Sequence, residues 1–246
     1  MHDLTGERIF HAFSKQRGKP LDAPTLVSEF GGRYATQLGI QLSDLDSAEI
    51  YKWLLAAILY GAPISEKIAT HTWQILERNA LLTPESIVRK GWDGLVALLD
   101  QGGYARYDHK TATKMLAVSQ TLLDRYAGNL NHLHAAASDS DDLAQRIMSL
   151  GKGIGPVTVQ IFLRELRGRW NKATPPLAQL AFQAAQVLGF LPENCHGDHQ
   201  LALSSLQDLW SKSGELISNF PDFEAALVRY GLCLRHHQRN AIRTLK

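Results

Sequence analysis

The sequence predicts an all-α protein. No stretch alternates apolar and polar residues with the period of two that a half-buried strand requires, whereas several segments repeat apolar residues at spacings of three and four. Glycine, proline and short polar clusters separate those segments at helix-like intervals. With 246 residues, 45% of them apolar, the chain is long enough for one large or two small domains with a real core.

The net charge is only +2. Any affinity for a polyanion must therefore come from a local patch. Cys195 and Cys233 give neither a disulfide framework nor a CxxC metal knuckle. No apolar run reaches the length of a membrane span, so no membrane partner is expected. The opening MHDLTGERIF lacks a basic-then-apolar signal pattern, which makes a reducing cytoplasm the default expectation.

Residues 1–47 read as an N-terminal extension, with a small basic group at Lys15, Arg17 and Lys19. Within it, the stretch from Thr25 forms a short helix stopped by Gly31-Gly32. Asp46 and Glu49 have the N-cap-to-N3 spacing of a capping box, with Asp in place of Ser or Thr. The following Tyr51–Tyr60, YKWLLAAILY, is almost wholly apolar and suits a central buried helix. Gly61-Ala62-Pro63 ends it. Ile64–Arg78 is amphipathic, with Ile68, Trp73 and Leu76 facing inward.

Thr83-Pro84-Glu85 opens the next helix, and Gly91-Trp92-Asp93-Gly94 separates it from a short one at Leu95–Leu99. After a turn at Gly102–Tyr107 comes a helix over Asp108–Tyr126, with Lys110 and Lys114 four apart on one face. Leu130–Asp142, rich in Ser, Asp and Ala, reads as a connection. Near the end, helices are expected over Pro176–Phe190, over 199–213, and after Phe220-Pro221-Asp222. Beyond Asp222 and Glu224 only bases follow: Arg229, Arg235, Arg239, Arg243 and Lys246. That makes the tail a second candidate phosphate contact, with 236–246 its basic end.

Residues 143–167 carry the clearest chemistry. Leu143, Ile147 and Leu150 lead into the turn Gly151-Lys152-Gly153-Ile154-Gly155. Pro156 then stands where a helix starts and its missing N–H costs nothing. Val159, Phe162, Leu163 and Leu166 form the inward face of that helix. The glycines let the backbone approach an outside object closely, and the free N–H groups of the following helix suit an anion. On this reading a side chain at Gly153 or Gly155 blocks that approach or distorts the turn. The candidate contacts are Gly151, Lys152, Gly153, Gly155, Val157, Thr158, Arg164 and Arg167.

The run Leu150-Gly151-Lys152-Gly153-Ile154-Gly155-Pro156-Val157-Thr158-Val159 resembles the helix-hairpin-helix element of the endonuclease III superfamily of DNA glycosylases. The resemblance covers residues 48–235 and implies a two-lobed all-α fold. It also implies a hairpin that grips double-stranded DNA through backbone amides, with a monovalent cation on backbone carbonyls. The family's catalytic aspartate would fall at Pro175 or Ala178, and no acid lies between Glu165 and Glu193. The hairpin lysine of strand-cleaving members falls at Val157. The glutamine wedge of the family falls in Tyr60-Gly61-Ala62-Pro63, where Ala62 cannot fill a base-sized gap. Cys233 stands alone where four cysteines would hold an iron–sulfur cluster, so none is expected.

The resemblance therefore implies a DNA-binding protein for damaged or distorted duplex, without the family's chemistry. A glycosylase or abasic-site lyase with a relocated catalytic residue stays open, with Glu85, Asp93 and Asp108 as the remote acids. So does a helical scaffold or interaction protein. Catalytic and metal residues are unassigned. Cys195-His196-Gly197-Asp198-His199 has metal-binding residue types but no zinc-finger partner pair, and reads as a polar loop. His132 and His134, and His236 and His237, give no ligand spacing.

Overall fold

The computed structural model describes residues 21–195 and 197–244, with side chains as far as residue 238. The group Lys15, Arg17 and Lys19 lies outside the described residues, as does His196. All regular structure among the described residues is helical. The first helices are α1 (Ala23–Phe30), the short α2 (Tyr34–Gln37), α3 (Ser47–Tyr60), α4 (Glu66–Arg78), α5 (Pro84–Gln101) and α6 (Asp108–Tyr126). There follow α7 (Leu130–Ala136), α8 (Ser140–Met148), α9 (Pro156–Leu166), α10 (Gln179–Val187), α11 (His199–Lys212) and α12 (Phe220–Thr244). No helix among the described residues is long and apolar enough to cross a membrane.

The chain divides into two compact units. One is Ala35–Pro175 and contains the hairpin; the other joins the described residues up to Tyr34 to those from Pro176 onward. The boundaries thus fall at 34/35 and 175/176. They cut through both the expected extension 1–47 and the expected domain 48–235.

In the hairpin unit, α3 is the central helix. Asp46 caps it by accepting the N–H groups of Ala48 and Glu49 at 2.9 and 3.2 Å. The reciprocal half of a capping box is absent, because Glu49 accepts the Gln41 N–H and the Lys52 ammonium instead. Every residue from Trp53 to Leu59 is buried, and each large one contributes about 1.5–3 kcal/mol. Its polar atoms are bonded across the core. Tyr51 Oη meets Ser119 Oγ of α6 at 2.6 Å, and Trp53 Nε1 donates to Phe162 O of α9 at 3.0 Å. Tyr104 Oη donates to Leu59 O at 2.6 Å.

One connection differs from expectation. Leu130–Asp142 contains a complete helix, α7, capped by Asn129 and held inward by Leu130 and Leu133. Small residues and local polar caps disguised it as a loop. The expected break at Gly91 is present: Gly91 stands at φ 72° and ψ 171°, outside the helical region, so α5 is two helical segments that meet there at a kink.

In the other unit, α12 is the core element, with Phe220, Phe223, Ala226 and Leu227 fully buried. Phe223 stacks on Trp210 of α11 at 5.4 Å. Gly231 lets α10 approach closely, since a Cβ there would lie 2.5 Å from Leu180 O. Arg229 lies 3.8 Å above the Tyr34 ring and donates to Gly31 O and Gly32 O. It is an internal staple, so the expected phosphate role for Arg229 is withdrawn.

The contact that seats α9 on α3 is at Gly61, where a Cβ would collide with Thr158 Oγ1 and stand 3.0 Å from Ala57 O. Gly61→Ala is expected to lower stability by about 1–3 kcal/mol, the usual cost of overpacking. Thr158→Ala in the same chain should recover part of that loss, because the two sites share one contact. Denaturant unfolding checks both. An unchanged midpoint for Gly61→Ala contradicts the packing described.

Candidate nucleic-acid interface

The hairpin is built by burying its ends and exposing its middle. Asp139 caps α8 by accepting the Asp141 and Asp142 N–H groups at 3.0 and 2.9 Å. Those bonds, a further one from Ser138 N–H to Asp142 and the Arg146 pair hold both carboxyls, Asp139 and Asp142, below their ordinary pKa. Leu143 and Ile147 anchor α8 inward, and Leu150 and Ile154 anchor the two ends of the turn. Within the turn the Ile154 N–H donates to Gly151 O at 3.1 Å. Lys152 and Gly153 are left facing outward.

The three glycines do different work. Gly151 serves packing: a Cβ there would lie 3.0 Å from Val118 Cγ2 and 3.3 Å from Ala117 Cβ of α6. Gly153 serves conformation, at φ 90°, a region that L side chains rarely adopt. Gly155 serves neither. Its backbone is extended at φ −113° and ψ 177°, and a Cβ would meet nothing within 4 Å. The expectation that any side chain at Gly155 distorts the turn is therefore corrected.

Pro156 occupies the first turn of α9, as its ring geometry favours, and no side chain caps this helix. The first intrahelical bond from its start is Val159 N–H to Gly155 O. The Val157 and Thr158 N–H groups thus precede the first acceptor that the helix supplies. The Val157 side chain is 59% exposed, on the outer rim. Thr158 points the other way: the residue is buried, with its side chain against Gly61.

Arg164 and Arg167 are not where an amphipathic reading of α9 puts them. They are only 3% and 6% exposed. Arg164 lies 3.6 Å from the fully buried Glu165, whose carboxylate also accepts the Ala35 N–H at 3.0 Å. Arg167 donates to Pro175 O at 2.6 Å. The segment beginning at Ala35 is thus tied to α9 through Glu165, and Arg169 ties it further by donating to Ser43 O at 3.2 Å. Both arginines are thereby removed from the candidate phosphate contacts.

A basic residue that was not singled out as a contact takes their place. Lys114 of α6 reaches the turn: a Cβ on Gly153 would stand 2.7 Å from Lys114 Cε. Burial, and then repulsion from Lys110, hold its pKa below the ordinary lysine value. The i,i+4 pair was legible in the sequence, but its place beside Gly153 depends on how α6 packs on the hairpin.

The other candidates resolve individually. Pro175 is buried and its carbonyl is engaged by Arg167, while Ala178 is the uncapped N-cap of α10. Glu85 and Asp93 are exposed on α5, and Asp108 accepts the neighbouring His109 N–H at 2.6 Å. Tyr60 Oη is bonded to Thr70 Oγ1 at 2.8 Å.

In the polar loop, Cys195 is buried and Asp198 caps α11. The His199 ring stacks on Phe182 with Nδ1 2.9 Å from Leu177 O. His134 stacks on Trp170 at 4.6 Å, its pKa lowered by burial and then by Lys172. No group of three His, Cys, Asp or Glu able to hold a metal occurs among the described residues. The turn itself contains no carboxylate, so the monovalent cation that the resemblance implies would rest on main-chain oxygens of residues 150–155. One of these, Gly151 O, already accepts a hydrogen bond.

No protein-family model matches the chain, and comparison with curated proteins gives no match.

The open space at Gly155 allows a clean charge test. Asn and Asp are both good N-cap residues, so Gly155→Asn and Gly155→Asp should match or slightly exceed the parent in thermal stability. Only the aspartate places a negative charge at the hairpin. Duplex affinity is expected to fall at least tenfold further for Gly155→Asp than for Gly155→Asn. Equal affinities in the two folded variants would show that no anion sits there.

Proposed function

We propose that this protein binds double-stranded DNA through the 143–167 hairpin, at damaged or distorted duplex, without carrying out the glycosidic chemistry of the family it resembles. One observation carries the reading. An outward turn of Lys152 and Gly153 leads into a helix start that no side chain caps, with the Lys114 chain lying against the same turn.

Main-chain N–H groups at a helix start favour a phosphate oxygen by both hydrogen bonding and the helix dipole. Lysine adds attraction as a point charge, without demanding one geometry. Such contacts position the duplex and do not read bases, which fits a ligand defined by shape.

The view of catalysis rests on what stands at the relevant positions. Cleavage of a glycosidic bond makes the sugar carbon electron-poor, and a nearby carboxylate normally offsets that charge. Pro175, Pro176 and Ala178 supply none. The buried carboxylate of Glu165 is already paired with Arg164 and bonded to the Ala35 amide. Val157 supplies no amine for a Schiff base.

Duplexes bearing an abasic site, a mismatch, or an oxidised or alkylated base test both halves of this proposal. Binding of the abasic and mismatched duplexes is expected, with log affinity falling linearly with log salt as counterions are released. Single-turnover incision, with alkali treatment to reveal uncut abasic sites, is expected to give no enzyme-dependent product. A flat salt dependence would remove the electrostatic account. Rapid product on any lesion, lost on changing one acid or lysine, would make the protein a glycosylase or lyase with relocated chemistry.

A further inference from the structure

We infer that Lys114, with Lys110 one helical turn before it, forms a second phosphate-binding position on α6, so that the DNA strand leaving the hairpin runs along the N-terminal half of that helix. The inference rests on the DNA-binding reading and adds to it a path for the strand.

The geometry begins at Gly153. Its φ of 90° and its missing Cβ let the Lys114 chain lie across the turn, since a Cβ would stand 2.7 Å from Lys114 Cε and 3.6 Å from Cγ. The stem is thus half-buried against the hairpin, and the ammonium is delivered beside it. An ammonium that has lost part of its water needs a compensating anion. No described ion pair supplies one to Lys110, Lys114 or Lys152. The one carboxylate at the start of α6, Asp108, is turned to its own neighbour His109. Burial and the second ammonium at Lys110 both disfavour the charged form of Lys114, and a bound phosphate would offset both.

The arrangement suits a polymer better than a single ion. Lys110 and Lys114 are four residues apart on one helix, a rise of about 6 Å at 1.5 Å per residue. That is comparable to the step between neighbouring phosphates on one strand. Lys152 and the amides at the start of α9 hold the first phosphate, and Lys114 and then Lys110 meet the next ones. Lys110 and Lys152 are exposed and Lys114 is half-buried, so all three are within reach of a ligand on the same unit.

Fluorescence anisotropy of the full chain with an abasic duplex, titrated with salt, tests this. Lys114→Met keeps the stem across Gly153 and removes the charge. It is expected to lower the log–log salt slope by about one unit and the affinity about tenfold near 0.1 M salt. Lys114→Arg should retain most of the affinity. Lys110→Met, at an exposed position, should lower the slope likewise, and it keeps the test intact if the Lys114 variant fails to fold. If the parent binds with a steep slope that neither methionine variant changes, the path along α6 is wrong and the hairpin reading stands. If the parent shows no salt-dependent duplex binding, both fall. Borohydride trapping of a covalent adduct that Lys114→Met abolishes would assign the amine to chemistry and overturn its phosphate role.

Discussion

The close approach of α9 to α3 at Gly61 is the constraint on which the hairpin depends. Thr158 sits against the bare backbone of Gly61, and Trp53 of α3 donates to the Phe162 carbonyl of α9. These contacts fix the start of the second hairpin helix from behind. With Thr158 turned inward, Val157 is left on the outside. The far side of α9 is closed by the segment beginning at Ala35, through Glu165 and Arg169. A helix enclosed on both sides can present only its end.

The same enclosure carries an electrostatic burden. Arg164, Glu165 and Arg167 are taken out of water together, and ion pairs buried in this way seldom contribute net stability against apolar replacements. Removing one partner would cost more, because it leaves an uncompensated charge. Among them, Glu165 fixes the Ala35 segment on α9 through the Ala35 amide. The charges of α9 therefore shape the hairpin from within, and the charges available to a ligand come from Lys152 and from α6.

Much of the helical framework was legible because local rules and burial agree there. Pro156 at a helix start, the apolar face of Val159, Phe162, Leu163 and Leu166, the Asp46 cap and the almost wholly apolar Tyr51–Tyr60 each rest on neighbours within a few residues. The errors arise where distant segments decide. Periodicity assigns Arg164 and Arg167 to solvent, since nothing within α9 indicates that Glu165 bonds to a residue 130 positions earlier or that Arg167 turns onto Pro175 O. Helix α7 was missed because its Asn129 cap and few apolar anchors give a weak pattern over a short length. Lys114 was visible as one of an i,i+4 pair, but its place beside Gly153 comes from the packing of α6 on the turn at Gly151. Of the eight residues first taken as the site, Arg164 and Arg167 are internal, and Thr158 is buried with its side chain against Gly61.

The proposed function takes what remains outward, glycine and lysine with no carboxylate in the turn, to hold a phosphate backbone rather than cut it. The most direct test of that claim is the amide spectrum of the ¹⁵N-labelled protein during titration with an abasic duplex. The account predicts that the Gly153, Gly155, Val157 and Thr158 amides show the largest shifts, in step with saturation, and gain protection from hydrogen exchange. Saturable duplex binding that leaves those four amides unmoved, with the shifts gathered on another surface, would contradict it.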